Sequence, residues 1–131
     1  MKTYKVIVDD ENTINWYNEK GQLDRLDGPA VEWANGDKEW YTNGKLNRLD
    51  GPAAEYVDGT KMWFVDGKCH RLDGPAHEYA DGHNDWWIDG KYMTEKQFNE
   101  HTKPKPTCEG KIIEVDGIKY KLTSMSGWSC S

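Results

Sequence analysis

Long apolar runs are missing from this chain of 131 residues. None approaches the roughly 20 residues that a membrane-spanning helix needs. Its opening stretch, residues 1–13, lacks the apolar centre of a secretory signal, so a cytoplasmic protein is expected. An excess of basic charge is also missing. The formal net charge is -6, which disfavours a nucleic-acid partner, because counterion release needs clustered Lys and Arg. It equally disfavours docking on anionic lipid, so no membrane partner is expected.

Cysteine is scarce and odd in number. Cys69, Cys108 and Cys130 follow no framework spacing and read as reduced thiols. No CxxC or HxxxH spacing joins Cys69, His70, His77 and His83, so no metal site is expected. Cys69 and His70 are chain neighbours that diverge on a strand, which argues against a Cys–His nucleophile pair. Neither a phosphate loop, a nucleophile elbow nor a calcium-loop ligand series is present. The chain is therefore expected to be no enzyme and to carry no cofactor.

What the chain does have is a repeat. RLDGPA runs from Arg25 to Ala30, from Arg48 to Ala53 and from Arg71 to Ala76. A fixed period of this size marks an architecture in which each unit buries its apolar side on its neighbours. Trp33, Tyr56 and Tyr79 follow at one equivalent position. Asn35-Gly36, Asp58-Gly59 and Asp81-Gly82 come next, then Trp40-Tyr41, Trp63-Phe64 and Trp86-Trp87. Asn43-Gly44, Asp66-Gly67 and Asp89-Gly90 close the units, each trailed by a Lys. An earlier degenerate copy, Trp16-Tyr17 with Gly21, carries one extra residue before its glycine. Hydrophobic residues are only 36% of the chain, but seven Trp and seven Tyr supply large buried areas with few side chains.

The expected fold is all-β: tandem 23-residue β-hairpin repeats in an elongated, twisted antiparallel sheet, with a short C-terminal helix and a terminal hairpin. Residues 1–12 hold an N-terminal strand, read over residues 2–9, and 13–93 hold the repeats. Residues 94–102 form a capping helix, and 103–131 a Lys-Pro linker, a last hairpin about Asp116-Gly117 and a tail. Asn-Gly and Asp-Gly are strong hairpin signals. Two main strands per unit are expected, such as residues 30–34 and 38–42, closed by a tight turn at Asn35-Gly36. Residues 43–52 are then a longer connection. Three short strands per unit is the second possibility. Thr94-Glu95-Lys96-Gln97 has the form of a capping box, with Phe98 as the helix anchor.

Two sets of side chains are candidates for binding. All three arginines, Arg25, Arg48 and Arg71, lie in the repeat motif, while the other basic residues are Lys. Pairing with Asp27, Asp50, Asp73 or a neighbouring carboxylate is the favoured reading, since registry recurs in every unit. The other is a guanidinium row facing an acidic partner. The aromatic pairs place Trp40, Trp63 and Trp86 on one sheet face and Tyr41, Phe64 and Trp87 on the other. Either a second layer covers one row or that row is a binding surface.

The segment from Glu39 to Gly59, EWYTNGKLNRLDGPAAEYVDG, resembles a variant MORN repeat, and units beginning at Lys61 and Asp85 are similar. Glu39-Trp40 departs from that family's Gly-x-Trp, and Asn47 stands where Cys69-His70-Arg71 keeps the usual His. The resemblance implies a hairpin-stack interaction module of the kind found in small phage proteins and in MORN-like antitoxins. The expectation is a non-catalytic protein-binding module, a phage-encoded accessory protein that binds and inhibits or redirects a bacterial host defence protein. A nucleotide-sequestering protein and a structural virion component that associates through its sheet edges are the alternatives.

Overall fold

The computed structural model describes residues 2–102 and two further strands, Ile112–Val115 and Ile118–Lys121. The chain divides into two compact units, Met1–Asn99 and Glu100–Ser131. The Lys-Pro linker and the tail lie outside the described residues.

Glycine turns of two kinds set the local structure. Asn43 and Gly44 both have positive φ (49° and 81°), as do Asp66-Gly67 and Asp89-Gly90. That is the type I′ geometry, which Asn-Gly and Asp-Gly tolerate best. At Asn35-Gly36 only the glycine has positive φ. Trp33 N–H donates to Asp37 O, and Gly36 N–H donates to Trp33 O. This is a three-residue loop with a bulge, not the expected tight turn. The Asn35 side chain accepts from Asp37 N–H at 2.9 Å and stabilises it. The extra residue of the degenerate copy has the same consequence. Asn18 pairs with Gln22 around Gly21, a three-residue loop where later units use a two-residue turn.

The strands are therefore shorter and more numerous than expected. β1 (Lys5–Val8), rather than residues 2–9, pairs with β2 (Ile14–Tyr17). The first full unit contains β3 (Val31–Glu32), β4 (Lys38–Glu39), β5 (Tyr41–Thr42) and β6 (Lys45–Leu46). Residues 43–52 are thus not a plain connection, because β5 and β6 form a second hairpin. Trp40 divides β4 from β5. Its N–H donates to Ala53 O in the next unit, and its carbonyl accepts from Asn47 N–H, so pairing changes partner there. The next unit repeats the pattern with β7 (Ala54–Glu55), β8 (Lys61–Met62), β9 (Phe64–Val65) and β10 (Lys68–Cys69). The last has β11 (His77–Glu78), β12 (Asn84–Ile88) and β13 (Lys91–Met93).

One antiparallel nine-stranded sheet runs in the order β1-β2-β3-β4-β7-β8-β11-β12-β13. The β5–β6 and β9–β10 hairpins stand outside it as two-stranded ribbons. Successive units are tied at fixed points. Gly44, Gly67 and Gly90 donate to the carbonyls of Leu23, Leu46 and Cys69. Asp24, Asn47 and His70 accept the N–H of Asn43, Asp66 and Asp89. One position therefore takes Asp, Asn or His, because all that it must offer is an acceptor.

The core is narrow. Ala30, Ala53 and Ala76 are fully buried, with Val31, Ala54, Ile88 and Phe98 beside them. α1 (Glu95–Thr102) begins in the expected capping box. Thr94 Oγ1 accepts from Gln97 N–H, and Gln97 Oε1 accepts from Thr94 N–H. In the second unit β14 (Ile112–Val115) pairs with β15 (Ile118–Lys121), the expected last hairpin.

Candidate interaction face

Each RLDGPA motif is a small machine for holding one guanidinium group. Arg48 Nε donates to Asp50 Oδ1 at 3.1 Å, and Nη1 donates to Pro52 O at 3.1 Å and to Glu55 at 3.3 Å. Its Cζ lies 3.9 Å from the Trp40 ring centroid. Arg25 and Arg71 repeat this on Trp16 and Trp63. The glycine completes the site. A Cβ on Gly51 would stand 3.0 Å from Arg48 Cζ and slightly further from Nε and Nη1. Such an approach is along the normal of the guanidinium plane, so Trp40 covers one face and the glycine backbone the other. This glycine is required for space, not for its φ.

The motif is thus accounted for at five of six positions. Arg stacks, Asp pairs, Gly admits the guanidinium, Pro supplies a carbonyl, and Ala fills the closed core. The leucine does none of this. Leu26, Leu49 and Leu72 are 79%, 84% and 56% exposed. They sit beside Asp27, Asp50 and Asp73, whose side chains are also exposed. Each unit adds two strands to the sheet, a step of about 10 Å. Between Leu26 and Leu49 lies a groove of about 540 Å³, lined also by Trp40 and Arg48. An equivalent groove of about 590 Å³ lies between Leu49 and Leu72, with Trp63 and Arg71. The signal for these leucines was in the sequence: an invariant apolar residue next to an Asp-Gly step.

The aromatic rows are both half-buried, so neither forms an open surface. Trp40 and Trp63 lie under Arg48 and Arg71. Trp86 has the same half-buried standing. On the other row, Tyr41 donates to Glu39 at 2.8 Å. Phe64 and Trp87 both lie against the His77 ring. The structure therefore joins each arginine to a tryptophan of the preceding element and keeps the Tyr41, Phe64 and Trp87 row apart from them.

His77 also meets Cys69, a pairing that sequence neighbours could not suggest. Cys69 Sγ is 2.8 Å from His77 Nε2, and His77 Nδ1 is 3.0 Å from the Tyr79 hydroxyl. Tyr79 donates to Asp85 Oδ2 at 3.1 Å. With the ring proton on Nδ1, every group in this chain donates once. Burial, with help from the Asp85 charge, pushes the Cys69 thiol up to about 11. Burial holds His77 below its ordinary value, against the pull of Asp85. The pair therefore rests as neutral thiol and neutral imidazole, the opposite of an activated thiolate. Among the described residues no group of three His, Cys, Asp or Glu could hold a metal ion.

These groups set the pH dependence of stability. Burial and the hydrogen bond to Glu39 push Tyr56 up to about 12, and Tyr41 and Tyr79 are raised for similar reasons. A raised folded value favours the protonated form, so its contribution is complete below the unfolded value and lost as pH climbs through the folded one. His77 is lowered, so its contribution is complete above 6.5 and lost as pH falls. The melting temperature should be highest between about 6.5 and 9 and fall on both sides. Tyr56→Phe should flatten the alkaline arm. A melting temperature that holds level through the tyrosine range would contradict this.

Comparison with family models, curated proteins and solved structures gives no match to this chain. Among the described residues no helix is long and apolar enough to cross a membrane.

Proposed function

We propose that this chain is a non-catalytic protein-binding repeat module that docks through its Leu-Asp loops. The observation that carries the reading is the exposed leucine row at Leu26, Leu49 and Leu72. Every other residue of the motif serves the fold, and three aligned apolar side chains in water mark a contact surface. Exposed carboxylates beside them favour a partner with apolar sockets and a basic rim. The resemblance to MORN-type phage repeats adds the finer proposal of a phage-encoded accessory protein. It would act in the bacterial cytoplasm, where it inhibits or redirects a host defence protein.

The nucleotide-sequestering alternative has less support. Each guanidinium is covered by Trp and engaged by its own unit's Asp and Glu. A phosphate would have to displace those carboxylates against a net charge of -6.

The test is a quantitative pull-down from bacterial lysate with the wild type and a Leu26→Ser, Leu49→Ser, Leu72→Ser triple variant. Because the three sites are exposed, the stability should change by no more than about 1–2 kcal/mol. A captured partner should be lost from the triple variant. Retention of that partner, or release of a bound nucleotide from native protein, would overturn the proposal.

A further inference from the structure

At the tip of the β3–β4 hairpin, away from the Leu-Asp loops along the strands, lies a further, shallow and open cavity of about 460 Å³. Trp33 and Tyr56 form part of its wall, together with Glu11, Asp37, Glu39 and Thr13. Its acidic residues do not recur as a pair. One unit further on, Thr60 stands at the place of Asp37 and Met62 at that of Glu39, and two units on His83 and Asp85 stand there. The Asp37–Glu39 pair therefore occurs once among the three units, and a pair that occurs once in a repeat protein is the place to look for a ligand.

The charge here is uncompensated. Among the described residues, Glu11, Asp37 and Glu39 have no Lys, Arg or His within 4.0 Å, although other acidic residues do. Glu39 is held in place instead by two hydroxyls, those of Tyr41 and Tyr56, each at 2.8 Å. Asp37 is fixed by the N–H of Val57 at 2.9 Å and by the Asn35 amide at 3.0 Å. Both carboxylates are thus aimed before any ligand arrives. Thr13 is only 6% exposed. It lies on the cavity wall. Trp33 and Tyr56 line one cavity. An aromatic face attracts a cation, most strongly when a carboxylate is near to complete its neutralisation.

We propose that the cavity bounded by Trp33, Tyr56, Asp37 and Glu39 binds an alkylammonium group. The rings would cover its carbon atoms, and the carboxylates would neutralise its charge. The same chemistry is offered by a free polyamine and by a lysine or methylated lysine side chain of a protein.

The full chain is titrated by calorimetry and tryptophan fluorescence with putrescine, with tetramethylammonium chloride and with a short peptide containing one trimethyl-lysine. Sodium chloride of matched ionic strength is the reference. Saturable binding to one site is expected, stronger for one source than for the other. Tighter putrescine binding would assign the site to a free amine, and tighter peptide binding to a protein side chain. Glu39→Gln and Trp33→Leu should each weaken binding about tenfold, a loss within the range of a cation–aromatic contact. Leu49→Ser should leave it unchanged, which separates this site from the Leu-Asp face. A second readout needs no variant: tetramethylammonium, which keeps its charge at high pH, should lower the Tyr56 titration midpoint from about 12 when bound beside Glu39. A response equal to that of sodium chloride, or a Tyr56 titration that ignores tetramethylammonium, would overturn the proposal.

Discussion

Gly51→Ala is expected to destabilise the protein by roughly 2–3 kcal/mol, and the loss should largely disappear in an Arg48→Ala background. A methyl group at residue 51 meets Arg48 Cζ at 3.0 Å, on the face that Trp40 leaves free. The guanidinium must then give by a few tenths of an ångström, pressing on Trp40 or lengthening its bonds to Asp50, Pro52 and Glu55. Charge-assisted bonds of this kind contribute about 1.5–3 kcal/mol, and stacking on the ring adds about 0.5–2. Once Arg48 is gone, the three atoms nearest that methyl are gone with it. Since Gly51 does not require positive φ, alanine there would even restrict the unfolded chain, a gain of about 0.4–1 kcal/mol. The coupling between the two changes should exceed about 1 kcal/mol. Arg48→Lys should cost about 1–3 kcal/mol, because an ammonium cannot reproduce the planar fork. Denaturant melts of the four proteins decide the matter, and strict additivity would disprove the sandwich.

Ala53→Leu is expected to be at least as damaging, about 3 kcal/mol or more. Ala53 is fully buried. Its N–H donates to Met62 O at 2.8 Å and its carbonyl accepts from Trp40 N–H at 2.7 Å. The backbone is therefore pinned on both sides, and three added carbons can be admitted only by parting the strands. Leu49→Ala, four residues earlier in the same motif, should fall within about 0.5 kcal/mol of the wild type. Thermal melts of both variants test the contrast. A wild-type melt for Ala53→Leu would show that the alanine row is not the closed core described here.

Local chemistry was readable from the chain itself. The 23-residue period, the Asn-Gly and Asp-Gly turns, the capping box at Thr94 and the all-β class all depend on a few neighbouring residues and their permitted φ. Turn type was less readable. Asn35-Gly36 and Asn43-Gly44 are the same dipeptide, yet one closes a three-residue loop and the other a two-residue turn. Which one forms is settled by the pairing of the flanking strands, and the division between β4 and β5 at Trp40 has the same origin.

Roles that cross from one strand to another were decided by tertiary structure alone. The sequence could put Arg beside Asp, but only the folded chain puts Trp40 under Arg48 and Gly51 over it. It could present Cys69 and His70 as neighbours, whereas strand pairing brings Cys69 to His77. It could align leucines, but their exposure follows from the loop that carries them. The cavity at Trp33 and Tyr56 joins residues of two successive units. The physical reason is common to all four. Turns and caps are fixed by the conformation of adjacent residues, while stacking, burial and enclosed charge depend on strand register, which only the packing of each unit on the next can set.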